Sequence, residues 1–181
     1  KMELPTTETT QAVRQLPRLK RLLRKYRHIK TMQSGLLQLS ELASAVTDMD
    51  AFYSALEPVI KTLLVTDSFH IALLNSSEQL TLVHCHNPVE KCLCEQVDLI
   101  NWHKSLLGIV LLRQQKLHCS TAKRLELAKA NEIELYGSEF QDWLGVPLKR
   151  NNQVIGVIAL QSYDEARNFS ARDCQILEDI A

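Results

Sequence analysis

Residues 142–163 read DWLGVPLKRNNQVIGVIALQSY, and this stretch decides the fold. Leu144, Val146 and Leu148 alternate with smaller or polar positions, and the apolar run Val154–Leu160 follows an Asn151-Asn152 pair. A period of two marks a strand with one face buried. Asparagine tolerates the positive φ that tight hairpin turns demand, so the two runs are predicted to pair antiparallel about Asn151. Just beyond them, Ser170 and Asp173 have the spacing of a capping box, and a last helix is expected to begin there. Nothing in the hairpin has the pattern of an activated nucleophile, a metal cluster or a phosphate loop.

Working back toward the N-terminus, Ala122–Ala130 reads as a helix, Lys116–Cys119 as a short strand and Leu106–Leu112 as a short helix. Residues 87–104 are polar and irregular. Before them lie two strands, Ser68–Leu74 and Gln79–His86, joined by a turn at Asn75–Glu78 and closed by Pro88. A helix is expected to start at Asp48 or Asp50, either of which can cap it. Its apolar face is wide, running from Phe52 through Leu56, Ile60 and Leu64. Pro58 is expected to bend that helix or to sit in a fresh first turn, because proline lacks an N–H and clashes one turn back.

The region 16–47 is read as one N-terminal helix and 1–15 as disordered. Ile29, Met32, Leu36, Leu39, Ala43 and Val46 form a heptad seam that Leu22 extends and Lys25 interrupts. The seam suits a parallel helix pair between two copies, or a helix that packs along its own domain. Arg18, Lys20, Arg21, Arg24, Lys25, Arg27 and Lys30 crowd one short run without an acid among them. A solvated helix face is the simpler reading of that run, ahead of lipid or nucleic acid.

Composition sets the outer bounds. A chain of 181 residues with 45% hydrophobic content can bury one good core. Lys and Arg total 21, as do Asp and Glu, so net charge gives no argument for nucleic acid or membrane. The five cysteines lack the spacing of a secreted disulfide scaffold and are read as reduced thiols in a cytoplasmic domain. No apolar run is long enough to span a membrane. The chain starts at Lys1 and stops at Ala181 inside an apparent helix, which suggests a piece of a longer protein, with any membrane segment elsewhere.

From about Leu36 to Ala181 the sequence resembles a GAF domain, the small-molecule sensor module of bacterial signalling proteins and some phosphodiesterases. The resemblance rests on Ser68–Leu73, on Ser105–Leu111 with Gly108, and on Trp143-Leu144-Gly145-Val146-Pro147-Leu148. Val154–Gln161 with Gly156, and Phe169 with Asp173, complete it. It implies an α+β fold of three layers, α/β/α, with a mostly antiparallel central sheet over 48–181 and the long helix in front. It also implies a ligand cavity on one sheet face under residues 87–140. Within that frame His70, Trp102, Tyr136 and Trp143 are the candidate ligand-binding residues, and the sequence names neither ligand nor cofactor. The wording of the hairpin is similar to GAF domains ahead of diguanylate cyclase (GGDEF) or histidine kinase outputs. A homodimer through the N- and C-terminal helices is the expected assembly.

Other chemistries fit less well. His84-Cys85-His86 with Cys92 and Cys94 offers soft metal ligands, but strand alternation splits them between two faces. A thiol-dependent reductase of free methionine sulfoxide needs a low-pKa thiolate, and Cys85, Cys94 and Cys119 are its candidates. The Leu106–Val110 segment lacks the cysteine that the reductase resemblance requires. Cys85-His86 has the dipeptide of bilin-binding relatives but on a strand. Gln161-Ser162 stands where cyclic-nucleotide binders carry an Asn-Lys pair. The leading expectation is therefore a non-enzymatic sensory domain, with a ligand-free spacer as the other non-enzymatic reading.

Overall fold

The computed structural model describes residues 7–45, 49–89 and 97–181. The described strands form one sheet: β1 (Ser68–Leu74), β2 (Leu80–His86), β3 (Val97–Asp98), β4 (Leu117–Ser120), β5 (Asp142–Arg150) and β6 (Gln153–Ser162). They lie in the order β3-β2-β1-β6-β5-β4, and each neighbouring pair is antiparallel. The hairpin pairs from Asp142 opposite Ser162 to Arg150 opposite Gln153, with a bulge where the register shifts between Leu148 and Lys149. Asn151 and Asn152 turn it at φ of 52° and 62°, the left-handed values that the pair was expected to supply.

The helices are α1 (Thr7–Ala45), α2 (Met49–Leu63), α3 (Leu106–Arg113), α4 (Thr121–Lys129) and α5 (Ala171–Ile180). Strand alternation sorts them into two layers. Phe69, Ile71, Leu144, Val146, Ile158 and Leu160 share a core with Leu56 and Ile60 of α2 and Leu177 of α5. The intervening positions Ala72, Trp143, Val157 and Ala159 pack with Ile109 and Val110 of α3 and Leu127 of α4. This is the three-layer α+β arrangement that the sequence led us to expect. The capping box forms as read, with Ser170 Oγ accepting from Asp173 N–H and the Asp173 carboxylate accepting from Ser170 N–H.

Several local readings need correction. α1 begins at Thr7, so residues 7–15 are helical where disorder was expected; Gln11, Ala12 and Arg14 are good helix formers. α2 continues through Pro58, so of the two outcomes expected there the fresh first turn does not occur. Proline deprives only the Ser54 carbonyl of its partner, and both residues face solvent, which can satisfy it. Within 87–104, β3 and a 3-10 turn at Trp102–Lys104 appear where only irregular chain was expected. The cap position Asp48 lies outside the described residues.

The helical seam divides in two. Met32 packs on the α2 core, and Gly35 is buried where a Cβ would meet Leu63 Cδ1 at 2.9 Å. Leu22, Tyr26 and Ile29 remain exposed. The side chains of Leu39 and Ala43, and all of Val46, lie outside the described residues. Among the described residues no helix is long and apolar enough to cross a membrane.

Candidate functional site

A cavity of about 460 Å3 lies between the sheet and the α3/α4 layer. Two adjacent rows of the ladder lie beneath it, and His70, Ala159, Trp143 and Gln161 from these rows line its floor. Gly145, Ala159 and His70 stand side by side in one row, and Trp143, Gln161 and Ser68 in the next. Strand alternation points all of them to the same face. Small residues at Gly145 and Ala159 leave the hollow, and the Trp143 indole folds into part of it. A Cβ on Gly145 would stand 2.6 Å from Trp143 Cζ3 and nearer still to Cη2, so only glycine leaves the indole that place.

The roof comes from the segment 99–107, from Arg124 on α4 and from residues 133–140. Trp102 is pinned by its indole N–H, which donates to the Glu78 carbonyl at 3.1 Å, and His103 stacks on it at 3.7 Å. Ser105 starts α3 by accepting from the Gly108 N–H at 3.1 Å and donating to the Trp102 carbonyl at 2.6 Å. Gly108 is pressed on the same turn, where a Cβ would lie 3.0 Å from His103 Cα. The Ser105–Leu111 motif thus holds Trp102 over the floor.

Behind two polar residues of the lining, His70 and Gln161, stand further polar groups. Ser68 Oγ lies 3.3 Å from the His70 ring nitrogens, and the Asn87 amide donates to Tyr163 Oη at 2.7 Å. Tyr163 donates in turn to Gln161 Oε1 at 3.0 Å. At the mouth the Tyr136 hydroxyl donates to the Glu134 carboxylate, and that bond raises the phenol above its ordinary pKa, with burial adding to it.

Arg124 is the cation of the roof and is only 7% exposed. Its guanidinium donates to the Tyr136 carbonyl at 2.6 Å and the Ser138 carbonyl at 3.2 Å, and lies 4.9 Å from the Phe140 ring centroid. Gly137, at φ 70°, lets both flanking carbonyls turn toward it.

The four residues anticipated from the sequence all line this one cavity: His70 and Trp143 on the floor, Trp102 in the roof and Tyr136 at the mouth. Arg124, Phe140 and Gln161 were missed. In the sequence Arg124 looks like another surface cation between Lys123 and Leu125. Its only signal is a place one turn before the buried Leu127.

The soft-ligand cluster resolves differently. His84 and His86 turn to Glu57 on α2, at 3.0 and 3.3 Å, beside Lys61 at 2.7 Å. Burial would raise the Glu57 carboxyl, but hydrogen bonds from Lys61 and His84 and the charges of His86 and Lys61 outweigh it and hold it below the ordinary range. Cys85 faces the other way and is disulfide-bonded, with its partner outside the described residues, which corrects the reading of reduced thiols. Whether two cysteines bond depends on Cβ placement, which spacing alone does not give. Cys119 and Cys174 are free. Burial pushes the Cys119 thiol up to about 11, against the opposing charge of Arg124. Among the described residues no group of three His, Cys, Asp or Glu side chains is placed to hold a metal ion.

The family model of the GAF domain matches residues 41–181. No curated protein matches the sequence. Solved structures share the fold at low identity. The GAF domain of the Acinetobacter phosphoenolpyruvate-protein phosphotransferase is 18% identical, with a TM-score of 0.65 covering 84% of this chain and 86% of that one. The free methionine-R-sulfoxide reductase of Neisseria meningitidis is also 18% identical, with a TM-score of 0.63 and coverage of 82% and 83%. The GAF domain of a two-component sensor histidine kinase from Bacillus halodurans is 19% identical, with a TM-score of 0.57 and coverage of 75% and 89%.

Proposed function

This chain belongs to the GAF domain family, and from that premise we propose that it is a non-enzymatic sensory domain whose cavity takes a small molecule and thereby controls an output domain. The observation that carries the reading is the cavity. At about 460 Å3, with aromatic walls and a few convergent polar groups, it has the size and lining of a small-molecule site.

The other face of the same strands offers a route outward. Trp143 lines the cavity while its neighbour Asp142 is buried opposite, accepting from His118 Nε2 at 2.6 Å and from the Phe169 N–H at 2.7 Å. Phe169 leads into α5, and Arg172 of α5 donates to His28 of α1 at 2.7 Å. A ligand that displaces Trp143 therefore acts one residue from the anchor of α5, which in turn touches α1. In this reading α1 and α5 pair with those of a second copy, the exposed Leu22, Tyr26 and Ile29 contributing to the contact. The output is a GGDEF-type cyclase or a histidine kinase.

The state of Cys119 supports a non-enzymatic role. Its thiol, raised to about 11, is protonated at neutral pH, whereas the thiolate is the reactive form. Free methionine sulfoxide with dithiothreitol is expected to give no turnover, and turnover would overturn this part of the reading. The sensory role is tested by hydrogen exchange with a ligand that raises the melting temperature. Altered protection in α5 as well as at the cavity is expected. Changes confined to the cavity wall would count against transmission, as would a strict monomer in sedimentation against helix pairing.

A further inference from the structure

We infer that the ligand of this cavity is an organic monocarboxylate with an apolar or aromatic body, its carboxylate held by Arg124; this rests on the cavity being a ligand site at all. A guanidinium carries five N–H donors, and the two carbonyl bonds to Tyr136 and Ser138 leave donors over. Among the described residues no carboxylate lies within ion-pairing distance of Arg124. The one carboxylate side chain among the described residues of the lining, Glu134, sits exposed at the mouth and is engaged by the Tyr136 hydroxyl.

Arg124 is thus a buried cation in the company of carbonyl dipoles and the Phe140 ring. Buried charges are ordinarily paired, because desolvation without a counter-charge is costly. An arriving carboxylate supplies that counter-charge and matches the planar fork with two parallel hydrogen bonds. One cation calls for one negative charge, which favours a monoanion. The two carbonyl bonds and the Phe140 face already fix the guanidinium plane, so little ordering is left to the ligand. Trp102, Phe140, Trp143 and Leu106 then leave room for an apolar body, and His70 and Gln161, which also line the cavity, can meet a polar group that the body carries.

The test compares 3-phenylpropionate with its neutral isostere 3-phenylpropionamide, using tryptophan fluorescence, since both tryptophans of the chain line the cavity. The wild-type protein is expected to prefer the acid by about tenfold or more, as a charge-assisted bidentate contact allows. Arg124→Met is expected to abolish that preference while the amide still binds, which shows the cavity intact. Arg124→Lys, which keeps the charge but not the fork, is expected to fall between. Equal affinity of the wild-type protein for acid and amide overturns the carboxylate assignment and leaves the cavity reading standing. Failure of both probes to bind overturns both.

Discussion

Gly145→Ala tests the packing that makes the cavity. The added methyl would stand 2.6 Å from Trp143 Cζ3 and 3.1 Å from Cζ2, where ordinary carbon contacts lie at about 3.5–4.0 Å. The backbone of β5 is held on both sides, by β4 and β6, so the strand cannot retreat. The indole must move instead, by roughly 1 Å or more on those contact distances, and the open direction is into the cavity. Overpacking of this kind costs about 1–3 kcal/mol. For a chain of this size that lowers the melting temperature by about 2–12 °C. Trp143→Leu removes the ring that the methyl meets, so the two changes should be strongly non-additive: Gly145→Ala costs little in the Trp143→Leu background. Differential scanning calorimetry of the four proteins measures this, with tryptophan emission reporting the displaced ring. Equal costs of Gly145→Ala in both backgrounds would refute the packing argument.

Two further outcomes concern the opposite face. Asp142→Ala leaves the Phe169 N–H and His118 without their acceptor, and a buried unpaired donor costs about 1–3 kcal/mol. Hydrogen exchange should quicken first at the start of α5, and Asp142→Asn, which keeps an acceptor, should restore most of the protection; uniform loosening across the sheet would contradict the anchoring role. Glu57 adds an acid dependence. Its folded pKa is depressed, so its contribution is full above the unfolded carboxylate range and is lost as pH falls through the folded value. Glu57→Gln should therefore flatten the fall in stability below the ordinary carboxylate range, and an unchanged acid limb in urea titrations would remove Glu57 as a source of it.

What the sequence disclosed follows from how locally each feature is encoded. The β5–β6 hairpin was legible because a two-residue period and an Asn-Asn turn are both local, and the Ser170–Asp173 cap likewise. His70, Trp102, Tyr136 and Trp143 emerged only because the family resemblance placed a cavity over the sheet. Arg124 did not emerge, since its meaning comes from two carbonyls beyond its own helix, at Tyr136 and Ser138. Similarly, no pattern in α1 separates a seam that meets a second copy from one that meets α2. The packing of Met32 and Gly35 answers that for its middle section, on its own domain. Pro58 left two outcomes open, because sequence does not show whether the carbonyl that proline deprives of its partner reaches solvent.

The central claim is that a small molecule sits between the sheet and the α3/α4 layer. The chain has two tryptophans, one in the floor and one in the roof of that space. Their indole N–H resonances give two separate reporters in a 1H–15N spectrum. Titration with an arylalkyl carboxylate is predicted to move both signals with one shared dissociation constant. A ligand that shifts backbone amides of α2 or α5 while both indole signals stay still would contradict the account.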